Sequence, residues 1–128
     1  MNRTPSPSDR APSGQHETAA ILRSLQELIA SRKRERPDGS YVVQLLDGGH
    51  AAICSKIIEE AYEVVSAAAD GGSDRRANLV HELADLLFHL LVLMGGDDIP
   101  LELIEEELAG RFGIGGLQAK AARAEQTP

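Results

Sequence analysis

The chain of 128 residues has no tryptophan, two tyrosines, two phenylalanines and a single cysteine. With aromatic residues at 3%, the stacking platform that usually holds single-stranded nucleic acid has little to be built from. Positive charge is also scarce, and the formal net charge of -7 is the reverse of the basic surface expected of a nucleic-acid binder. The one compact basic run, Arg32, Lys33, Arg34 and Arg36, is interrupted by Glu35. Cys54 alone can form no internal disulfide and no cysteine-based zinc site, which makes a reducing, cytoplasmic location the expectation. Long apolar runs are missing too. The longest, residues 86–94, is broken by His89 and falls far short of a bilayer span, and the N-terminal 17 residues lack the apolar segment of a secretory signal. Neither nucleic acid nor membrane is expected as a partner, and no internal repeat is found.

What is present fits one domain. Residues 1–17, rich in Pro, Ser and charge, read as a disordered extension, residues 18–124 as a single helical domain and 125–128 as a tail. Ile21, Leu22, Leu25, Leu28 and Ile29 recur at helical spacing, which predicts a helix over about 18–36 that Pro37-Asp38-Gly39-Ser40 ends. The pattern at 41–46 is short and apolar and fits either helical turns or an extended piece. From about 50 to 69, Ile53, Ile57, Ala61, Val64 and Ala68 form one stripe, and Asp70-Gly71-Gly72 stops it. Ser73 is expected to cap a third helix to about 94, with Leu79, Leu83, Leu86, Leu90 and Leu93 on one side and Val80, Leu87, Leu91 and Met94 partly round the other. A helix apolar over so much of its circumference needs cover from more than one direction, and a second subunit is a reasonable source. Pro100 opens a fourth helix over 101–111 with Leu101, Ile104 and Leu108 inward, and Gly113 closes it. A last short turn at 117–124 completes an all-α, four-helix-type bundle.

The chemistry is carried by acids. Glu60 and Glu63 on the second helix, and Glu82 and Asp85 on the third, are each three residues apart, so each pair projects from one helix face. Projected at about 100° per residue, Lys56, Glu59, Glu60 and Glu63 fall beside the apolar stripe of their helix, as do Asn78, Glu82, Asp85 and His89 beside theirs. Like charges at the edge of a core repel and are costly to desolvate, whereas a cation between them removes both penalties. Oxygen-only ligation suits a hard ion such as Mg²⁺, most often found on phosphates. A solvated acidic face is the ordinary reading of one such cluster, and two matched strips weaken it. Lys56 either contacts substrate phosphate or offsets the acids one turn away. His89 reads as a hydrogen-bonded core or interface histidine, His81 and His50 as surface residues, and Cys54 as a small core residue. The acids at 102, 105, 106 and 107 read as a solvated face.

Beyond spacing, the strings Arg32-Lys33-Arg34 to Pro37-Asp38-Gly39-Ser40-Tyr41, Lys56-Ile57-Ile58-Glu59-Glu60-Ala61-Tyr62-Glu63-Val64-Val65, and Glu82-Leu83-Ala84-Asp85-Leu86-Leu87-Phe88-His89 resemble the phosphoribosyl-ATP pyrophosphatase family. That family sits within the all-α, MazG-like nucleoside triphosphate pyrophosphohydrolases. The resemblance implies hydrolysis of phosphoribosyl-ATP between its α and β phosphates in the second step of histidine biosynthesis, with Mg²⁺ and a homodimer. By position it makes Glu60, Glu63, Glu82 and Asp85 the metal ligands, with Glu59, Glu60 and Glu63 as catalytic acids. It also places Lys33, Ser40, Tyr41, Lys56, Lys120 and Arg123 on the substrate. The family usually has Thr and then Lys after Ser-Tyr, where this chain has Val42 and Gln44, and a family-like Arg-Arg-Gly-Arg-Ser-Gly is here Arg111-Phe112-Gly113-Ile114-Gly115-Gly116. Two alternatives therefore stay open: a house-cleaning hydrolase of another nucleoside triphosphate, and a non-catalytic helical dimerisation module.

Overall fold

A computed structural model describes residues 14–115, and among them every regular element is an α-helix. Helix α1 is Gly14–Glu35. It begins before residue 18, so residues 14–17, expected in the disordered extension, are helical; residues 1–13 and 116–128, with the expected turn at 117–124 and the tail, lie outside the description. Arg32, Lys33 and Arg34 occupy its last turn, where cations complement the helix dipole. Arg36 at φ 51° and Gly39 at φ 78° turn the chain back.

Helix α2, Tyr41–Ala69, starts at Ser40, whose Oγ accepts from the Val43 amide at 3.3 Å. The segment at 41–46, left open by its pattern, is helical. Gly49 then breaks the helix at φ 67°, ψ -162°, a conformation essentially confined to glycine, and α2 resumes in a new direction. Helix α3, Arg75–Gly96, is joined to α2 by a short turn. Ser73 does not cap it, and Asp74 stands at the cap position without a side-chain bond. The turn is tied instead by Asp70 Oδ1, which accepts from the Gly72 amide at 3.1 Å, and by Arg75 Nε, which donates to the Ala68 carbonyl at 2.8 Å.

The core is formed by Ile29 of α1, Val42, Leu45 and Ile53 of α2, and Leu91 and Val92 of α3. On α3 the buried residues are thus His89, Leu91 and Val92, and the expected stripe is only half-buried, with Leu83 left 42% exposed. Close packing of α1 on α3 depends on Gly95, where an added Cβ would meet Ile29 Cγ2 at 2.7 Å. All of this lies at one end of the α2–α3 hairpin. Between Glu60 and His89 no residue is buried.

Helix α4, Leu101–Phe112, has Pro100 at its cap position and ends at Gly113 in the left-handed region. It packs little against the other three helices. Arg23 binds both carboxylate oxygens of Glu105 at 3.1 and 3.2 Å, and Gln26 Oε1 accepts from the Leu101 amide. Leu101 touches the core, but Ile104 and Leu108 are exposed, contrary to their expected inward placement. Exposed apolar side chains remain on one face of α2 at Ile58, Tyr62 and Val65, on one face of α3 at Val80 and Leu87, and on α4 at Leu103 and Phe112. By length and composition α3 as a whole, with a mean hydropathy of 1.5 over 18 residues, is apolar enough for a membrane span, a stronger signal than residues 86–94 gave alone. It also carries Glu82 and Asp85 at mid-length and contributes Leu91 and Val92 to the core, as expected of an apolar helix packed on other helices.

Candidate active site

The hairpin turn sets the register of the acids. Glu63 stands nine residues before Gly72 and Glu82 nine after Ser73, and Glu60 and Asp85 stand twelve before and twelve after the same two residues. Residues 70–74 between the arms are not helical; counted from Ala69 and Arg75, Glu63 and Glu82 stand six and seven residues along their helices and Glu60 and Asp85 nine and ten, so at 1.5 Å rise per residue each acid of α2 lies within about one residue's rise of the level of one of α3. Glu63 and Glu82 accordingly line one open cleft of about 600 Å³, with Ser66, Asp70 and Asn78.

The four expected ligands are not gathered at one point. The close cluster among the described residues is His81, Glu82 and Asp85, whose ligand atoms all lie within 4.8 Å of one another, with His81 Nε2 at 3.3 Å from Asp85 Oδ2. Glu63 faces the cleft from the other arm. Glu60 is buried, and its Oε1 lies 3.5 Å from Lys56 Nζ. Lys56 also donates to Glu59 Oε2 at 3.2 Å. That hydrogen bond is the main reason the ammonium pKa is raised above its ordinary value of 10.5; desolvation works against it, and the nearby Tyr41, Glu59 and Glu60 add to it electrostatically. Lys56 is therefore a cation at any physiological pH, held at the edge of the acidic strip.

Behind Asp85 lies an aromatic group. Tyr41 Oη is 3.0 Å from His89 Nε2, and His89 Nδ1 is 2.7 Å from the Asp85 carbonyl. A carbonyl can only accept, so Nδ1 carries hydrogen, and in the neutral ring Nε2 takes the hydrogen bond from tyrosine. Phe88 stacks on Tyr41 at 6.1 Å and meets His89 edge-on at 5.1 Å. His89 is the buried, hydrogen-bonded histidine the sequence predicts.

Three residues expected on the substrate are occupied within the chain. Ser40 Oγ caps α2, and Tyr41 holds His89. Lys33 Nζ donates to the carbonyls of Gly95 and Gly96 at 3.1 and 3.3 Å and to Asp98 Oδ1 at 2.9 Å, closing the carbonyl end of α3. Lys120 and Arg123 lie outside the described residues. Cys54 is exposed rather than in the core. His81 and His50 are exposed as expected; what the sequence reading missed is that His81 joins Glu82 and Asp85, although its four-residue spacing from Asp85 was the available signal. A second cleft, lined by Lys33, Arg36, His50 and Asp97 among others, has its basic side chains partnered: Lys33 with Asp98, Arg36 with Asp47, and His50 with Asp97 at 2.6 Å. Val42, one of the departures from the family pattern, is a core residue, so the missing hydroxyl there is a packing change.

The family model described as phosphoribosyl-ATP pyrophosphohydrolase matches residues 22–112. The chain belongs to that family. The matched span takes in the core, the hairpin and every acid of the site, and stops before Lys120 and Arg123. Among curated relatives, the phosphoribosyl-ATP pyrophosphatase of Trichlorobacter lovleyi is 48% identical over 105 residues, covering 82% of this chain and 94% of the relative. That of Neisseria meningitidis serogroup C is 43% identical over 106 residues, 83% and 96% of the two chains. The Rhodopirellula baltica protein of the same name is 40% identical over 107 residues, 84% and 89%.

Proposed function

We propose that this chain hydrolyses phosphoribosyl-ATP to phosphoribosyl-AMP and pyrophosphate, the second step of histidine biosynthesis, as a homodimer in the cytoplasm. The observation that carries the reading is the level placement of Glu63 and Glu82 across one cleft, inside the span that matches the family. Carboxylate oxygens are the donors that Mg²⁺ takes. Glu63, Glu82 and Asp85 would hold the ion, with Glu60 next along α2. Bound there, it would supply charge neutralisation on the phosphates and a more acidic water.

The chain's own groups have separate tasks. Lys56 offers a permanent positive charge to a phosphate oxygen, and Glu59, an exposed carboxylate hydrogen-bonded to it, is placed to accept a proton. His89 and Tyr41 fix the turn of α3 that carries Asp85. Fixed charges of this kind act through positioning and electrostatics, which account for most of the rate in phosphoryl transfer. The exposed apolar side chains of α2 (Ile58, Tyr62, Val65) and of α3 (Val80, Leu87) support the dimer, since each set shares one helix face and exposed apolar patches mark association sites.

The test is pyrophosphate release with Mg²⁺ from phosphoribosyl-ATP, dUTP and dCTP in parallel. Preferential turnover of phosphoribosyl-ATP, lost in Glu63→Gln with helicity intact, is expected. Preference for dUTP or dCTP, or undiminished turnover in the variant, refutes the assignment. Rescue of a histidine auxotroph lacking this step is the matching result in cells.

A further inference from the structure

The hairpin changes character along its length. On α2, Lys56, Glu60, Glu63 and Asp70 follow one another at intervals of four, three and seven residues, which keeps them within about 80° of one helix face. On α3, Asn78, Glu82, Asp85 and His89 form the matching strip at intervals of four, three and four. The cation, Lys56, therefore stands at the end away from the turn and the acids in the middle. The turn end is neutral on both arms. Ser66 stands three residues before the last residue of α2 and Asn78 three after the first of α3, so a hydroxyl and a carboxamide flank the cleft at one level, both exposed. They are three and four residues nearer the turn than Glu63 and Glu82, about 4.5–6 Å at the helical rise. Asp70 lines the same end of the cleft, and its Oδ1 accepts from the Gly72 amide, which leaves Oδ2 outside that bond.

Among the described residues no lysine or arginine lines this cleft, and its carboxylates are Glu63, Asp70 and Glu82. A phosphate at the turn end would meet Asp70 with no cation to offset the repulsion. Sugar hydroxyls carry no charge, donate to a carboxylate or amide oxygen and accept from an amide N–H, and a carboxylate on a ribose hydroxyl is a recurrent nucleotide contact. The step from the acids to Asn78 is also about the length of one sugar. We propose that Asn78, with Ser66 and Asp70, binds the hydroxyls of the ribose that carries the α-phosphate. The substrate then has a fixed direction along the hairpin, with its nucleoside towards the turn and its leaving pyrophosphate towards Lys56. This inference rests on the reading of the cleft as the hydrolase site and adds to it the residues that select a ribonucleotide.

The probes are AMP, 2′,3′-dideoxy-AMP and inorganic pyrophosphate, each titrated by calorimetry into the full chain with Mg²⁺. Wild type is expected to bind AMP about fivefold or more tightly than the dideoxy analogue, the worth of one ordinary hydrogen bond. Asn78→Ala, at an exposed helical position where circular dichroism should be unaltered, is expected to bring that ratio close to one and to leave pyrophosphate affinity within twofold. Ser66→Ala, on the opposite arm, should lower the ratio in the same direction. With phosphoribosyl-ATP as substrate, Asn78→Ala should raise KM about fivefold and change kcat less than twofold, the pattern of lost ground-state binding. Failure of wild type to bind AMP more tightly than the dideoxy analogue, a ratio unchanged in Asn78→Ala, or an equal loss of pyrophosphate affinity in that variant overturns the proposal. Absence of pyrophosphate release from phosphoribosyl-ATP by wild type would instead count against the hydrolase reading.

Discussion

The Tyr41 hydroxyl lies 3.0 Å from His89 Nε2 and joins the first turn of α2 to the middle of α3, one turn beyond Asp85. Because His89 is only 5% exposed, its ring nitrogen has no water to replace a lost tyrosine. Tyr41→Phe is expected to destabilise the fold by about 1–3 kcal/mol, the cost of an unsatisfied buried polar group. Tyr41→Phe combined with His89→Leu should cost less than the sum of the two single changes. Urea unfolding of the four proteins checks this, and strict additivity would dissociate the pair.

Ile29 is 1% exposed and packs against the backbone of α3 at Gly95. Ile29→Ala is expected to lower stability by about 2–5 kcal/mol, with little effect on Mg²⁺ binding at the far end of the hairpin. A thermal melt and a Mg²⁺ titration of the same variant separate the two effects.

At Gly49 an added Cβ would meet no atom within 4 Å, so Gly49→Ala isolates backbone strain. The φ of 67° and ψ of -162° predict a loss of about 1–3 kcal/mol. A neutral result would show that α2 can straighten through the kink.

Lys56 has a pKa raised above 10.5 by its bond to Glu59. A group whose pKa is higher in the folded state contributes its stability fully below the unfolded value and loses it as pH rises through the folded one. The contribution should therefore be constant from pH 6 to 9 and fade only above about 10.5. Lys56→Met is expected to raise KM for the nucleotide with no new inflection in the pH–rate profile between 6 and 9; an inflection lost on substitution would contradict a permanent cation.

Leu87 and Val80, 48% and 60% exposed, lie on the uncovered face of α3. Leu87→Glu is expected to shift sedimentation from dimer towards monomer while circular dichroism stays helical. An unchanged sedimentation coefficient would place the interface elsewhere.

The helices were legible because their apolar spacing is regular, and the acids because spacing on a helix fixes their face. What pattern alone left undecided or misplaced depends on partners far along the chain. The break in α2 depends on a dihedral at Gly49 that the adjacent Gly48 does not share. Cys54 follows the fully buried Ile53 by about 100° of rotation, enough to carry it to the surface. Ile104 and Leu108 have inward spacing, yet nothing among the described residues covers them. Lys33 and Ser40 looked free for a ligand because their acceptor and donor, at the end of α3 and the start of α2, come near only in the fold.

From 61 to 88 the two arms of the hairpin enclose no fully buried residue, and the apolar side chains between them, Ala61, Val64, Leu79 and Leu86, are only half-buried, so the end bearing the acids is held less firmly than the core end. Whatever binds there acts as a clasp. Occupancy by an ion, a nucleotide or a second subunit should slow amide exchange along both arms together while the Ile29–Ile53–Val92 end stays as it was. Catalytic readiness and local firmness would then rise and fall with the same ligand.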